Sequence, residues 1–183
     1  MLNEFENVQA VYATFKERAL AILIDGLVLI PLAAIDWFNK SDWKSELLLM
    51  VTFIAGASYK NFFEYKYGAT LGKKAMKLRV VNRGLHRVDL NEVLVRNIFD
   101  LAWRAFFFIL SLVIYRNAAF STIHSNKEFV DFSNNLLNTN PYLLMYSVLI
   151  MIEIVFVLTD KKRRSLHDRM GGTLVIKIND GRN

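Results

Sequence analysis

Residues 17–30 read ERALAILIDGLVLI. From Ala19 to Ile30, leucine, isoleucine, valine and alanine fill almost every place, yet Asp25 stands among them. A run this apolar belongs in a hydrocarbon phase, where a charged side chain costs about 2.5–3.5 kcal/mol on insertion scales. The carboxylate therefore demands a partner, and the rest of the chain must supply it.

Outward from this stretch the apolar run continues to Phe38, and three further blocks follow at about 47–65, 98–115 and 142–158. A helix crossing a hydrocarbon core of about 30 Å needs roughly 20 residues, with about 17 tolerable. The first and fourth blocks meet this unaided. The second and third reach it through flanking polar side chains, Lys60 and Glu64 on one and Asp100 on the other, which extend to the headgroups. With 54% hydrophobic and 13% aromatic residues in a chain of 183, the expectation is an all-α membrane protein. It is a single domain built as a four-helix transmembrane bundle, with spans near 18–38, 46–65, 98–118 and 142–159. The first span follows seventeen mostly polar residues and shows no small-residue cleavage pattern, so it is expected to be retained.

Loop charges set the orientation, because lysine and arginine accumulate on the cytoplasmic side. Residues 1–18 carry Lys16 and Arg18, residues 59–97 carry nine basic residues and residues 160–183 carry seven. The opposite loops hold Lys40, Lys44, Arg116 and Lys127 alone. Both termini are therefore expected in the cytoplasm, and the protein in the cell membrane. The net charge of +6 is read as topology determinants that also contact anionic lipid headgroups, and not as a nucleic-acid surface, since no basic patch interleaves with aromatics. Cysteine is absent, which removes any redox reading of the compartment.

Along the chain, Phe5, Val8, Val11, Tyr12 and Phe15 recur at helical spacing, predicting an interfacial helix over residues 4–16. Pro31 predicts a kink in the first span just past Asp25. Ala55-Gly56-Ala57-Ser58 is a small-residue run that permits close helix approach. In the cytoplasmic loop 66–95, Leu78–Val81 and His86–Leu90 read as strands around an Asn82-Arg83-Gly84 turn, and Asp89 or Asn91 is placed to cap the third span. Gly68 and Gly72 are expected to supply turn conformations. In the tail, 160–183, Ser165 reads as an N-cap with Asp168 at the third helical position, and Thr173–Ile178 reads as a third strand. A small cytoplasmic β element should result. The outer loop, 116–141, holds one or two helical turns near Lys127–Phe132 and no assignable chemistry.

Three separated stretches carry a family likeness. Tyr12-Ala13-x-Phe15-x-x-Arg18 leading to Ile24-Asp25, then Gly68-x-Thr70-Leu71-Gly72-Lys73 with Leu78-Arg79-Val80-Val81 and Arg96, then Leu166-His167-Asp168 with Gly172-Thr173, resemble the RDD family of small membrane proteins. The resemblance implies that Arg18, Asp25 and Asp168 are the arginine and two aspartates after which the family is named. It also implies a transport role, cation/proton exchange among those proposed for members. Gly68, Thr70, Gly72, Lys73 and His167 come with it as supporting positions.

Depth along the helices groups the intramembrane charges. Asp25, Glu153 and Arg104 each lie six or seven residues from a cytoplasmic end, roughly 9–11 Å inside the boundary. The reading is a cluster of Asp25, Arg104 and Glu153, with Arg96 and Asp100 nearer the cytoplasm on the same face of the third span. As a functional site, two carboxylates sharing one arginine would exchange a proton for a monovalent cation. As a structural one, the same contacts fix helix register, which suits a scaffold or assembly partner. His86, His124 and His167 fall in separate loops, so no metal is expected. Gly68-x-x-x-Gly72-Lys73-Lys74 departs from a phosphate loop in spacing and in its last residue. No nucleophile, base and orienting group share a recognisable spacing, so no enzyme and no cofactor are expected. The small chain favours a homodimer.

Overall fold

A computed structural model describes residues 11–137 and 140–178. It is mostly helical, with one small sheet. A capping box starts helix α1 (Phe15–Phe38): the Thr14 hydroxyl accepts from the Glu17 amide at 3.3 Å, and Glu17 Oε2 accepts from the Thr14 amide at 2.9 Å. The helix runs through Pro31 and passes into a π-helical turn, Asn39–Trp43, that ends at Lys44 with φ 50°. Helix α2 (Glu46–Tyr67) follows, then the short α3 (Leu71–Ala75), α4 (Leu90–Arg96), α5 (Ile98–Tyr115), α6 (Asn126–Leu137), α7 (Asn140–Thr159) and the one-turn α8 (Leu166–Met170).

Among the described residues, three stretches are long and apolar enough to cross a membrane: Phe15–Trp43, Ile98–Tyr115 and Pro141–Thr159. Ile22 and Leu144 on two of them are each 68% exposed, as befits side chains that face acyl chains. Helix α2 is 22 residues long, but its last two turns carry Lys60, Asn61, Glu64 and Lys66. The outer segment holds more order than expected, a 3₁₀ turn at Ala118–Thr122 and the twelve-residue α6.

The sheet has strand order β1-β3-β2, with β1 at Val11–Tyr12, β2 at Leu78–Asn82 and β3 at Thr173–Lys177, all antiparallel. Val80 faces Val175 in the longer ladder, and Tyr12 faces Ile176 in the shorter. Two sequence expectations change here. Residues 4–10 of the expected interfacial helix lie outside the described residues, and Val11–Tyr12 form a strand, because a β-branched and an aromatic residue beside an open strand edge gain more from pairing than from one more helical turn. His86–Leu90 does not return as a strand. After a single bridge between Val81 and Arg87, the Arg87 guanidinium turns to the end of α2, donating to the Tyr65 and Lys66 carbonyls at 2.9 and 2.8 Å. Asp89 then caps α4 in a capping box with Glu92.

Two compact units divide the chain. In the first, residues 11–28, 59–99 and 150–178, the sheet is buried on both faces. Leu78, Val80 and Val175 pack with Ala13, Ala21, Val88 and Val93, while Val81, Leu174 and Ile176 pack with Tyr12 and Leu85. In the second, residues 29–58 and 100–149, Leu49, Ile114, Tyr115, Phe120 and Ile123 form the core. There the Asn39 side chain ties the π turn shut, accepting from the Ser45 amide at 2.8 Å and donating to the Tyr115 hydroxyl at 3.0 Å.

Candidate functional site

The first unit contains a network of buried charges centred on Asp168. Ser165 and Asp168 form the capping box of α8, with the Asp168 carboxylate accepting from the Ser165 amide at 3.1 Å. That places a fully buried carboxylate between two arginines. Arg18 Nη1 donates to Oδ2 at 2.6 Å and Arg96 Nη1 lies 2.5 Å from Oδ1. Burial alone would raise the Asp168 pKa, but Arg96, with His167 and Arg18, overcomes it and holds the carboxyl well below the usual range. Arg18 also donates through Nη2 to the Arg163 carbonyl at 2.8 Å, presented by a residue with φ 51°.

Arg96 is 2% exposed and joins two carboxylates. Besides Asp168 it meets Glu64, Nε to Oε2 at 3.4 Å, and it donates to the Thr173 hydroxyl at 2.8 Å. Burial opposes its charge, yet Asp168 and Glu64 carry its pKa upward. Glu64 is itself paired with Lys73 Nζ and accepts from Asn97 Nδ2 at 3.2 Å. Burial pushes the Lys73 ammonium down to about 8, against the pull of Glu64. The loop before β3 can approach Arg96 because residue 171 is glycine: a Cβ there would sit 2.7 Å from Arg96 Cβ.

At the more exposed edge, His167 Nδ1 lies 2.9 Å from Glu153 Oε2, and both side chains are 27% exposed. Burial pushes the imidazole pKa down, although Glu153 and Asp168 favour the charged ring; Arg96 and Lys60 oppose it. A folded pKa below the unfolded value means that the unfolded chain takes the proton first, so stability is full above the unfolded pKa and is lost as pH falls beneath it. The melting temperature in detergent should therefore begin to fall below a pH of about 6.5, and His167→Gln should keep it level until the carboxylates titrate. Identical profiles for the two proteins would contradict the assignment.

Asp25 finds its partners elsewhere in the same unit. It accepts from the Tyr59 hydroxyl at 2.6 Å, the Thr70 hydroxyl at 2.6 Å and the Gly72 amide at 2.7 Å. Thr70 is the N-cap of α3, its hydroxyl accepting from the Lys73 amide. The carboxylate among the leucines is thus the acceptor to which the segment leaving α2 is tied. Gly72 is required by close approach and not, as expected, by a turn: a Cβ would lie 2.0 Å from the Ala21 carbonyl oxygen. Gly68 does adopt the expected turn, with φ 68°.

Grouping by depth brought together Asp25, Glu153 and Arg104, and the structure gives each a different set of partners. Asp25 is held by Tyr59, Thr70 and Gly72, Glu153 by His167, and Arg104 by Asp100 on its own helix at 3.1 Å. Depth fixes a position along a helix and leaves rotation about its axis free. Arg96 and Asp100 likewise have different partners, Asp168 and Glu64 for the first and Arg104 for the second, and they fall in separate helices, α4 and α5. Asp168, expected as part of the cap of α8, also pairs with Arg18. Glu64, read only as a flank of the second block, is a central member, and its spacing of four from Lys60 was a visible helical signal. Tyr59 and Asn97 carried no signal that separated them from ordinary neighbours, and Thr173 entered only as part of the expected third strand and of the family likeness.

Comparison with known proteins gives two findings. The family model described as "RDD family" matches residues 12–172, from the first strand to the glycine pair before the last. An uncharacterized protein of Haemophilus influenzae is 32% identical over 113 residues, covering 60% of this chain and 69% of that protein.

Proposed function

Because this chain belongs to the RDD family, we propose that it works as a non-catalytic membrane scaffold whose buried ion network clamps a cytoplasmic β element onto its membrane helices. The observation that carries this reading is the burial of charge: Glu64 and Asp168 are 0% exposed, Arg96 2% and Lys73 9%, and these groups are paired with one another. Charges so enclosed fix geometry and leave the exposed loops for docking. In this reading α2 is a fourth span, which the basic residues of 59–97 and 160–183 favour, and both termini lie in the cytoplasm of the cell membrane. Anionic headgroups contact the basic loops, and the scaffold is a homodimer.

A second reading, exchange of a monovalent cation for a proton, is favoured by the Glu153 and His167 pair, which is titratable and partly open. Proteoliposomes separate the two. The scaffold reading expects no cation-dependent proton flux from wild-type protein; a flux that Glu153→Gln abolishes while the protein stays folded would replace it with exchange. The span count has its own check, since the chain has no cysteine and single introduced ones label cleanly. Ser125→Cys should react with an impermeant maleimide from outside intact cells, and Arg83→Cys only after permeabilisation.

A further inference from the structure

The second unit holds an open cleft of about 340 Å³ that none of the readings above uses. Its walls are Leu29, Leu32, Phe53, Phe107 and Phe108, with Phe53 and Phe108 stacked at 4.3 Å between centroids. The polar groups along it are mostly satisfied. Lys40 and Asp36 close on each other at 2.6 Å, and the Thr52 and Ser111 hydroxyls donate to carbonyls of their own helices at 3.0 and 2.8 Å.

Arg104 is different. Its Nε donates to Asp100 at 3.1 Å, which leaves Nη1 and Nη2 without a hydrogen-bond partner among the described residues. The side chain is 39% exposed although it lies in a helix apolar enough to span the membrane. Gly56 opens the space before it: a Cβ there would touch Arg104 Nη1 at 3.4 Å and Leu32 Cδ2 at 3.6 Å. A guanidinium cannot shed its proton, and its two terminal nitrogens present parallel donors matched to an oxyanion. Unmet donors in a low-dielectric setting are costly, so the fork is set for an acceptor.

We propose that this cleft is a binding site for a small amphiphilic carboxylate, its oxyanion on the Arg104 fork and its hydrocarbon or aromatic body against the phenylalanine and leucine walls. A metal cation would meet the guanidinium charge, and a small inorganic anion would leave the apolar walls bare. A two-chain phospholipid exceeds the volume.

The test uses radiolabelled 4-phenylbutyrate and the full chain in phosphatidylcholine nanodiscs, read by scintillation proximity. Saturable binding is expected, competed by unlabelled 4-phenylbutyrate and not by 4-phenylbutanol. Arg104→Gln and Gly56→Leu should each weaken it about tenfold or more, the first by removing a charge-assisted fork and the second by filling the space while keeping the charge. Gly56→Leu keeps the test decisive if the arginine variant fails to fold. Absence of saturable binding to wild type, equal binding to Gly56→Leu, or competition by the alcohol as strong as by the acid overturns the site. Loss of binding when phosphatidylglycerol replaces part of the lipid also overturns it, by assigning the fork to a headgroup.

Discussion

Replacing Arg96 with methionine is expected to destabilise the protein by about 3–5 kcal/mol, the cost of removing one partner from a buried ion network. The side chain is 2% exposed and stands between Asp168 and Glu64, both at 0%. Methionine fills much of the volume and supplies none of the charge, so each carboxylate keeps a single cation, Arg18 for one and Lys73 for the other. The Thr173 hydroxyl and the His167 ring lose a neighbour as well. Thermal unfolding in detergent measures the loss, and acid provides a signature. The Asp168 carboxyl is held low by Arg96 first, so its stabilisation is present above the unfolded pKa of about 3.9 and is lost as pH falls toward the folded one. Without Arg96 that difference shrinks, and the variant should lose less than wild type on acidification. Pairing Arg96→Met with Asp168→Asn should cost less than the two singles added, because the double variant leaves one fewer uncompensated charge. A loss below about 1 kcal/mol for Arg96→Met, the size of an exposed ion pair, would mean that the network does not clamp the unit.

Gly72→Ala should be nearly as damaging for a different reason. The added Cβ would sit 2.0 Å from the Ala21 carbonyl oxygen and 2.9 Å from both the Ala21 carbonyl carbon and Asp25 Cγ. The first two are backbone atoms inside a helix and cannot rotate aside. Helix α3 must lift from α1, which breaks the Gly72 and Thr70 bonds to Asp25 and leaves a carboxylate short of two donors. Overpacking together with lost charge-assisted bonds puts the expected cost at about 3 kcal/mol or more. Gly26→Ala is the matched control. Nothing lies within 4 Å of a Cβ at that position, and alanine favours a helix interior over glycine by about 0.5–1 kcal/mol, so this variant should be as stable as wild type or slightly more so. Equal melting temperatures for the two variants would refute the close approach assigned to Gly72.

Much of the frame was legible because it follows from short-range rules. The runs around ALAILIDGLVLI and YLLMYSVLIMIEIVFVL are apolar over the length of a bilayer, and helices form where they were expected. Ser165 with Asp168 announced its helix start through a spacing of three that the capping geometry itself imposes, and Asp89, one of two candidate caps, starts α4. Leu78–Val81 and Thr173–Ile178 showed strand character, and they pair with each other. The hairpin was misplaced because the turn after Asn82 looked sufficient to return the chain, whereas Arg87 found carbonyls at the end of α2 to bind instead.

The sequence by itself determined that this protein is helical and apolar enough to cross a membrane, that charged residues had to be sheltered within it, and that it resembles the RDD family. Only the tertiary structure decided which charges meet. Asp25 ended against Thr70 and Gly72, while Asp168 took Arg18 and Arg96, because partner choice depends on helix rotation and on loops returning across 45 to 150 positions of chain. Periodicity and depth are properties of one segment at a time, and an ion pair belongs to two.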